Sequence, residues 1–134
     1  MLIASITPVL PCEAIEPVVA FWSRLGFSVA VSVPHGEVLG FAILDDGQTQ
    51  LMYQTRASLR EDAAALADAA EGSRTLLFIK VDDLDDVHRA VGDAPGVFPK
   101  RQTFYGSTEF AVTDPAGHVV TFAQFPEQAD AGTD

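Results

Sequence analysis

Cysteine occurs once in 134 residues, as Cys12. No disulfide can form within the chain, which fits a reducing, cytoplasmic setting and leaves stability to apolar burial. Cys12 lies between Pro11 and Glu13 with no histidine nearby in sequence, so it is a poor candidate nucleophile. Histidine is scarce too. His35, His88 and His118 form no His-x-His or His-x-x-x-His pair, the spacings that bring two imidazoles onto one metal from a strand or a helix. All three read as exposed residues of turns or of a helix. Positive charge is sparse, with 8 Lys and Arg against 19 Asp and Glu for a net charge of −11. Nucleic acid and anionic membrane surfaces both demand clustered Lys and Arg, so neither is expected as a partner. The acidic balance serves solubility first and favours a cationic ligand second. No apolar run is long enough to cross a bilayer. The opening "MLIASITPVL" has no basic n-region or small-residue cleavage site, and Pro8 interrupts it, so it reads as a strand.

What is present is a folded chain, 48% hydrophobic. Residues 2–10 are β-rich. "EAIEPVVAFWSRLG" places Ile15, Val18, Val19, Trp22 and Leu25 at helical spacing, with Gly26 as the C′ residue. "FSVAVSV", "EVLGFAIL" and "TQLMYQT" follow as strands, divided by the turn signals "PHG" and "DDGQ". "SLREDAAALADAAEG" has capping-box spacing at Ser58 and Glu61 and predicts a connecting helix over 58–71. The order then recurs: strand "RTLLFIKV", helix "DDLDDVHRAVG" with acids in its first turn, and strands "GVFPKRQTF", "STEFAVT" and "HVVTFAQF". Thr7 falls over Leu76, an offset of about 69 residues. The pattern is α+β: two βαβββ modules, over about 1–56 and 73–126, whose open sheets pair into a curved mixed sheet, or cup. They make one domain over 1–126, and the polar tail 127–134 reads as flexible.

Three segments carry a resemblance: "FWSRLGF" (21–27), "VDDLDDV" (81–87) and "FYGSTEFAVTDPAGHVVTF" (104–122). With the repeated element order, the chain resembles the vicinal oxygen chelate superfamily, also described as the glyoxalase/bleomycin resistance/dioxygenase family. In its metalloenzymes, the resemblance implies, ligands sit on the first and last strand of each module. Carried over by spacing, those positions hold Thr7, Gln50, Leu76 and Thr121. Only Gln50 offers a plausible donor, so no metal and no other cofactor is expected. "PVLP" (8–11) before a helix ending in "RLGF" is similar to the metal-free bleomycin resistance proteins. Those are dimers that sequester cationic, planar drugs between subunits. "YGSTEF" is closer to the glyoxalase-like branch.

The candidate site residues follow. Strand alternation groups Glu109 with Ala111 and Thr113, and the resemblance turns that face toward the cup. There Glu109 would pair with a ligand cation or act as a base. The competing reading pairs it with Arg101 or Lys100 on the neighbouring strand. Gln50, Met52 and Gln54 alternate along one strand, offering amides and an adaptable thioether. Thr7 and Thr121 remain as ligand contacts. Phe104 and Tyr105 are a candidate stacking pair, and Phe21 and Trp22 read as core. The expected function is a metal-independent small-molecule binding protein, homodimeric, that sequesters a cationic or aromatic compound. The alternatives are a metal-free lyase or isomerase with Glu109 as acid/base, and a glyoxalase- or dioxygenase-type enzyme with another metal set.

Overall fold

A computed structural model describes residues 2–126, which divide after Ser73 into two compact units. The expectation of a flexible tail over 127–134 lies outside the described residues.

The first unit runs β1 (Val9–Cys12), α1 (Ile15–Ser23), β2 (Ser28–His35), β3 (Val38–Asp45), β4 (Gln50–Thr55), α2 (Arg56–Asp62) and α3 (Ala64–Ala69). Its sheet has the order β1-β4-β3-β2, parallel between β1 and β4 and otherwise antiparallel. Pro11 and Pro34 sit on the two edge strands, where the missing N–H breaks no ladder. The apolar stripe Ile15, Val18, Phe21 and Trp22 of α1 is buried, as are Ala42, Leu44, Leu51 and Tyr53 on one face of the sheet. The Trp22 indole N–H donates to the Tyr53 hydroxyl at 2.9 Å, so neither polar atom is stranded.

Two local expectations are corrected here. The first strand starts at Val9, well after residue 2. It pairs with β4 from Val9 opposite Met52 onward, and β4 itself begins only at Gln50. The Met52 N–H still donates to the Pro8 carbonyl at 3.0 Å, and the residues before Thr7 lie beyond the start of β4. The connecting helix is capped by Thr55, not Ser58: the Thr55 hydroxyl accepts the Ser58 N–H at 3.1 Å. It then breaks at Ala63, where φ is −156° and ψ 107°. The second piece is tied back to the first by Arg60 on Asp68 (2.9 Å) and by Arg56 on the Ala70 carbonyl (3.0 Å).

The second unit repeats the plan with β5 (Leu76–Lys80), α4 (Leu84–Val91), β6 (Gly96–Gln102), β7 (Thr108–Thr113) and β8 (Val119–Gln124), in the sheet order β5-β8-β7-β6. The two modules are thus βαβββ units with one topology. Val9 opposite Met52 in the first corresponds to Phe78 opposite Thr121 in the second. Asp83 caps α4 by accepting the Asp86 N–H at 3.1 Å. Asp85 and Asp86 in the first turn, with His88 and Arg89 in the last, oppose the helix dipole at both ends. One sheet face, with Phe110, Val112, Val120 and Phe122, is buried on the side of α4, and the His88 ring meets Phe110 edge-on at 4.9 Å.

The hairpin between β7 and β8 is closed by Asp114. Its backbone and side chain both accept: Gly117 N–H to the carbonyl at 3.0 Å, and the Ala116 and His118 N–H groups to Oδ1 at 2.9 Å each. Gly117 takes φ +90°, a conformation open to glycine. His118 follows, and it is buried, not exposed as its sequence position implied. Its Nδ1 accepts the Thr75 N–H at 2.9 Å, adding one bond just before the first paired residues of β5 and β8.

Candidate functional site

Cross-strand partners share a face of a sheet, so the registers of the second unit define what lies opposite α4. One row runs Lys80, Ala123, Glu109, Arg101, and the next runs Phe78, Thr121, Ala111, Phe98. Leu76, Val119 and Thr113 follow. This face is mixed and partly open, with Leu76 75% and Phe78 51% exposed and Lys80 and Arg101 at its two ends. Glu109 is its buried charged group, a carboxylate only 1% exposed.

The segment 103–107 keeps that carboxylate satisfied. The backbone closes between Thr103 N–H and the Ser107 carbonyl at 2.9 Å, with Gly106 at φ +97°. The Thr103 hydroxyl accepts the Ser107 N–H at 3.1 Å and bonds the Ser107 hydroxyl at 2.9 Å. Ser107 in turn donates to Glu109 Oε2 at 2.8 Å, and the Tyr105 hydroxyl donates to the same oxygen. Arg101 Nη2 stands 3.9 Å from Oε1, too far for a hydrogen bond, with its side chain 57% exposed and its guanidinium 4.2 Å above the Phe98 ring. Lys100, the other cation considered for Glu109, pairs with Asp85 instead. The bond to Glu109 raises the Tyr105 pKa above its ordinary value of 10.0, and lost solvation and the carboxylate's charge push the same way.

Aromatic rings extend from this point. Tyr105, 46% exposed, meets Phe104 edge-on at 4.9 Å and lies 6.2 Å from Phe125 at an interplanar angle of 31°. Phe125 meets Phe78 at 6.5 Å, and Lys80 Nζ stands 5.3 Å from the Phe125 ring centre. Phe104 itself is 99% exposed. The structure therefore brings Glu109, Tyr105, Phe104 and Thr121 onto or beside one sheet. It adds Ser107, Thr103, Phe78, Lys80 and Phe125, which sequence reasoning did not select. Phe78 carried the clearest missed signal, since alternation puts it on the face of Leu76, two residues away. Phe21 and Trp22 are core, as expected.

The remaining candidates belong to the first unit. Thr7 is half-buried and precedes β1. Met52 is half-buried beside Val9 and Ile43 on the face away from α1. Gln50 is exposed and spends its amide on Asp45, donating to Oδ2 at 2.9 Å. That bond, with the Gly47 N–H, holds the Asp45 carboxyl below its usual range.

The four positions carried over from metalloenzymes do not fit a metal. Leu76 has no donor atom and Thr7 and Thr121 offer only neutral hydroxyls, which leaves the Gln50 amide oxygen alone among the four as a plausible donor. Among the described residues, no three His, Cys, Asp or Glu side chains converge as a metal site would require. On the helix side of the second unit a separate cavity of about 310 Å³ lies near the end of α4, lined by His88, Val91, Phe110 and Val112 among others.

Comparison with solved structures places the fold. TioX from Micromonospora sp. ML1 is 17% identical, with a TM-score of 0.71 over 92% of this chain and 99% of its own. A bleomycin-binding protein solved in complex with bleomycin is 24% identical, with a TM-score of 0.61 over 92% of this chain and 100% of its own. A lactoylglutathione lyase from Agrobacterium tumefaciens is 18% identical, with a TM-score of 0.66 over 91% and 94%. Identities this low carry the fold and no activity. No curated protein matches the sequence. The family profile described as Glyoxalase/Bleomycin resistance protein/Dioxygenase superfamily matches residues 3–122, and with both βαβββ modules in place the chain belongs to that superfamily.

Proposed function

We propose that the chain binds a small aromatic molecule, without a metal, on the face of the second sheet opposite α4. The observation that carries this reading is a buried carboxylate, Glu109, set beside exposed Phe78, Tyr105 and Phe104. Flat rings offer stacking area, and one buried polar group fixes orientation, the usual composition of a small-molecule site. The bleomycin-binding neighbour, solved with its ligand, supports binding as the role for this fold. Of the two ligand chemistries expected from sequence, the flanking cations Lys80 and Arg101 favour the aromatic one. Among the described residues no helix is long and apolar enough to cross a membrane.

A second reading keeps Glu109 as the acid/base of a lyase or isomerase. It is favoured by the Tyr105 hydroxyl on the same carboxylate, a ready proton partner. Exchange of a ligand proton with solvent, abolished by Glu109→Gln, would establish it.

The test of the main reading is a thermal-shift screen of planar compounds run with and without chelator. A binder present at 100 times its Kd adds about 2.7 kcal/mol of stability. The expected result is stabilisation by aromatic compounds and the same melting temperature in chelator. Near-equimolar zinc, iron or manganese, lost together with stability on chelation, would overturn it.

The protein is further proposed to be a homodimer. The open sheet faces carry exposed Val9, Val31 and Val33 in the first unit and Leu76 and Phe78 in the second, apolar side chains that a second copy would cover. Sedimentation at micromolar concentration should give twice the 14.3 kDa chain mass, and a single-chain mass would contradict this.

A further inference from the structure

We propose that the Tyr105 hydroxyl occupies the place of a ligand donor, so that the site selects a planar aromatic compound bearing a neutral O–H or N–H group and discriminates against cations. This rests on the binding role proposed above and goes further, naming the ligand chemistry and the residue that sets it.

Glu109 Oε2 receives two hydroxyl donors, and they are not equivalent. Ser107 is buried and held to Thr103 through its N–H, its carbonyl and its hydroxyl. Tyr105 lies on the outer part of the same short loop, beside Gly106, and nearly half of it is in water. It is the donor that can leave. Its ring already rests in the aromatic row, tilted 31° from Phe125, with its O–H directed at the carboxylate. A phenol thus fills the position where an incoming ring would stack and donate.

Charge decides which donor can replace it. Arg101 stands 3.9 Å from the other Glu109 oxygen, and Lys80 is on the same cross-strand row. A cation displacing the neutral Tyr105 hydroxyl would add a third positive charge against one carboxylate. A neutral donor exchanges like for like and leaves the balance unchanged. The raised pKa of Tyr105 keeps the resident group a neutral donor through the physiological range, so the ligand always competes with it.

Tyr105→Phe removes the competing hydroxyl and keeps the ring. A hydrogen bond to a charged acceptor is strong enough that its release should tighten 4-methylphenol about tenfold. Calorimetric titration of wild type and Tyr105→Phe with 4-methylphenol, 4-methylanisole and benzamidinium reads this directly. The gain should appear for 4-methylphenol alone, and Tyr105→Phe/Glu109→Gln should lose it. No gain, an equal gain for 4-methylanisole, a larger gain for benzamidinium, or no binding of 4-methylphenol to either protein would each overturn the proposal. Stabilisation of wild type by other aromatic compounds in the thermal screen would leave the broader binding role standing in those cases.

Discussion

Glutamine at position 109 is expected to weaken binding of an aromatic donor by about 1.5–3 kcal/mol, roughly ten- to hundredfold, because the charged acceptor becomes a neutral amide. The shape is kept and only the charge is removed. Stability should fall as well, by about 1–3 kcal/mol. An unpaired buried carboxylate would gain from neutralisation, but Glu109 accepts from Ser107 and Tyr105 and faces Arg101. The substitution breaks that arrangement without replacing it. A second readout separates the two effects. In wild type the Tyr105 pKa is raised by its bond to Glu109. A group whose folded pKa is raised contributes stability that is complete below the unfolded value and lost as pH climbs through the folded one. The Tyr105–Glu109 contribution is therefore full below the ordinary tyrosine value of 10.0 and disappears at more alkaline pH. In Glu109→Gln the ultraviolet titration of Tyr105 should move back toward that ordinary value. Unchanged affinity beside a shifted titration would remove Glu109 from the binding site and leave it a structural partner of Tyr105.

Asp114→Ala should lower stability by about 2–4 kcal/mol, among the larger losses for one substitution in this chain. The buried carboxylate accepts two backbone N–H groups at 2.9 Å, and that of His118 is itself buried. Removing the carboxylate strands the His118 N–H and loosens the turn that sets the β7–β8 register. Asparagine keeps one acceptor oxygen and should cost about 1 kcal/mol. Urea unfolding with an unchanged m-value is the measurement. A loss below about 1 kcal/mol for alanine would show that water replaces the carboxylate and that the turn holds through its backbone alone.

The element order was legible because each strand and helix carries its own periodicity, from the α1 stripe of Ile15, Val18 and Trp22 to the alternation that buries Leu51, Tyr53 and Thr55. What was not legible depends on partners distant in the chain. His118 looked like a turn residue because nothing local announces that the Thr75 N–H, 43 residues earlier, requires its ring. β1 was read too long because apolar composition alone does not show where pairing with β4, distant in the chain, stops. The break at Ala63 lies in an alanine-rich run whose local propensity favours continuing the helix. The site divided in the same way. Alternation grouped Glu109 with Ala111 correctly, and the structure gives both to one face. Phe78 was missed because the parallel register places it, and not Leu76, opposite Thr121. Ser107 and Thr103 were missed because small hydroxyl residues in a loop read as turn formers until the loop closes.

The central claim is that ligand binds the face of the second sheet around Glu109. Amide chemical shifts of isotopically labelled protein, titrated with the strongest compound from the thermal screen, test it most directly. The account predicts saturable shifts concentrated at Phe78, Tyr105, Ser107, Glu109 and Thr121. Shifts concentrated at His88, Val91 and Val112, around the cavity beside α4, with the Glu109 face unmoved, would contradict it.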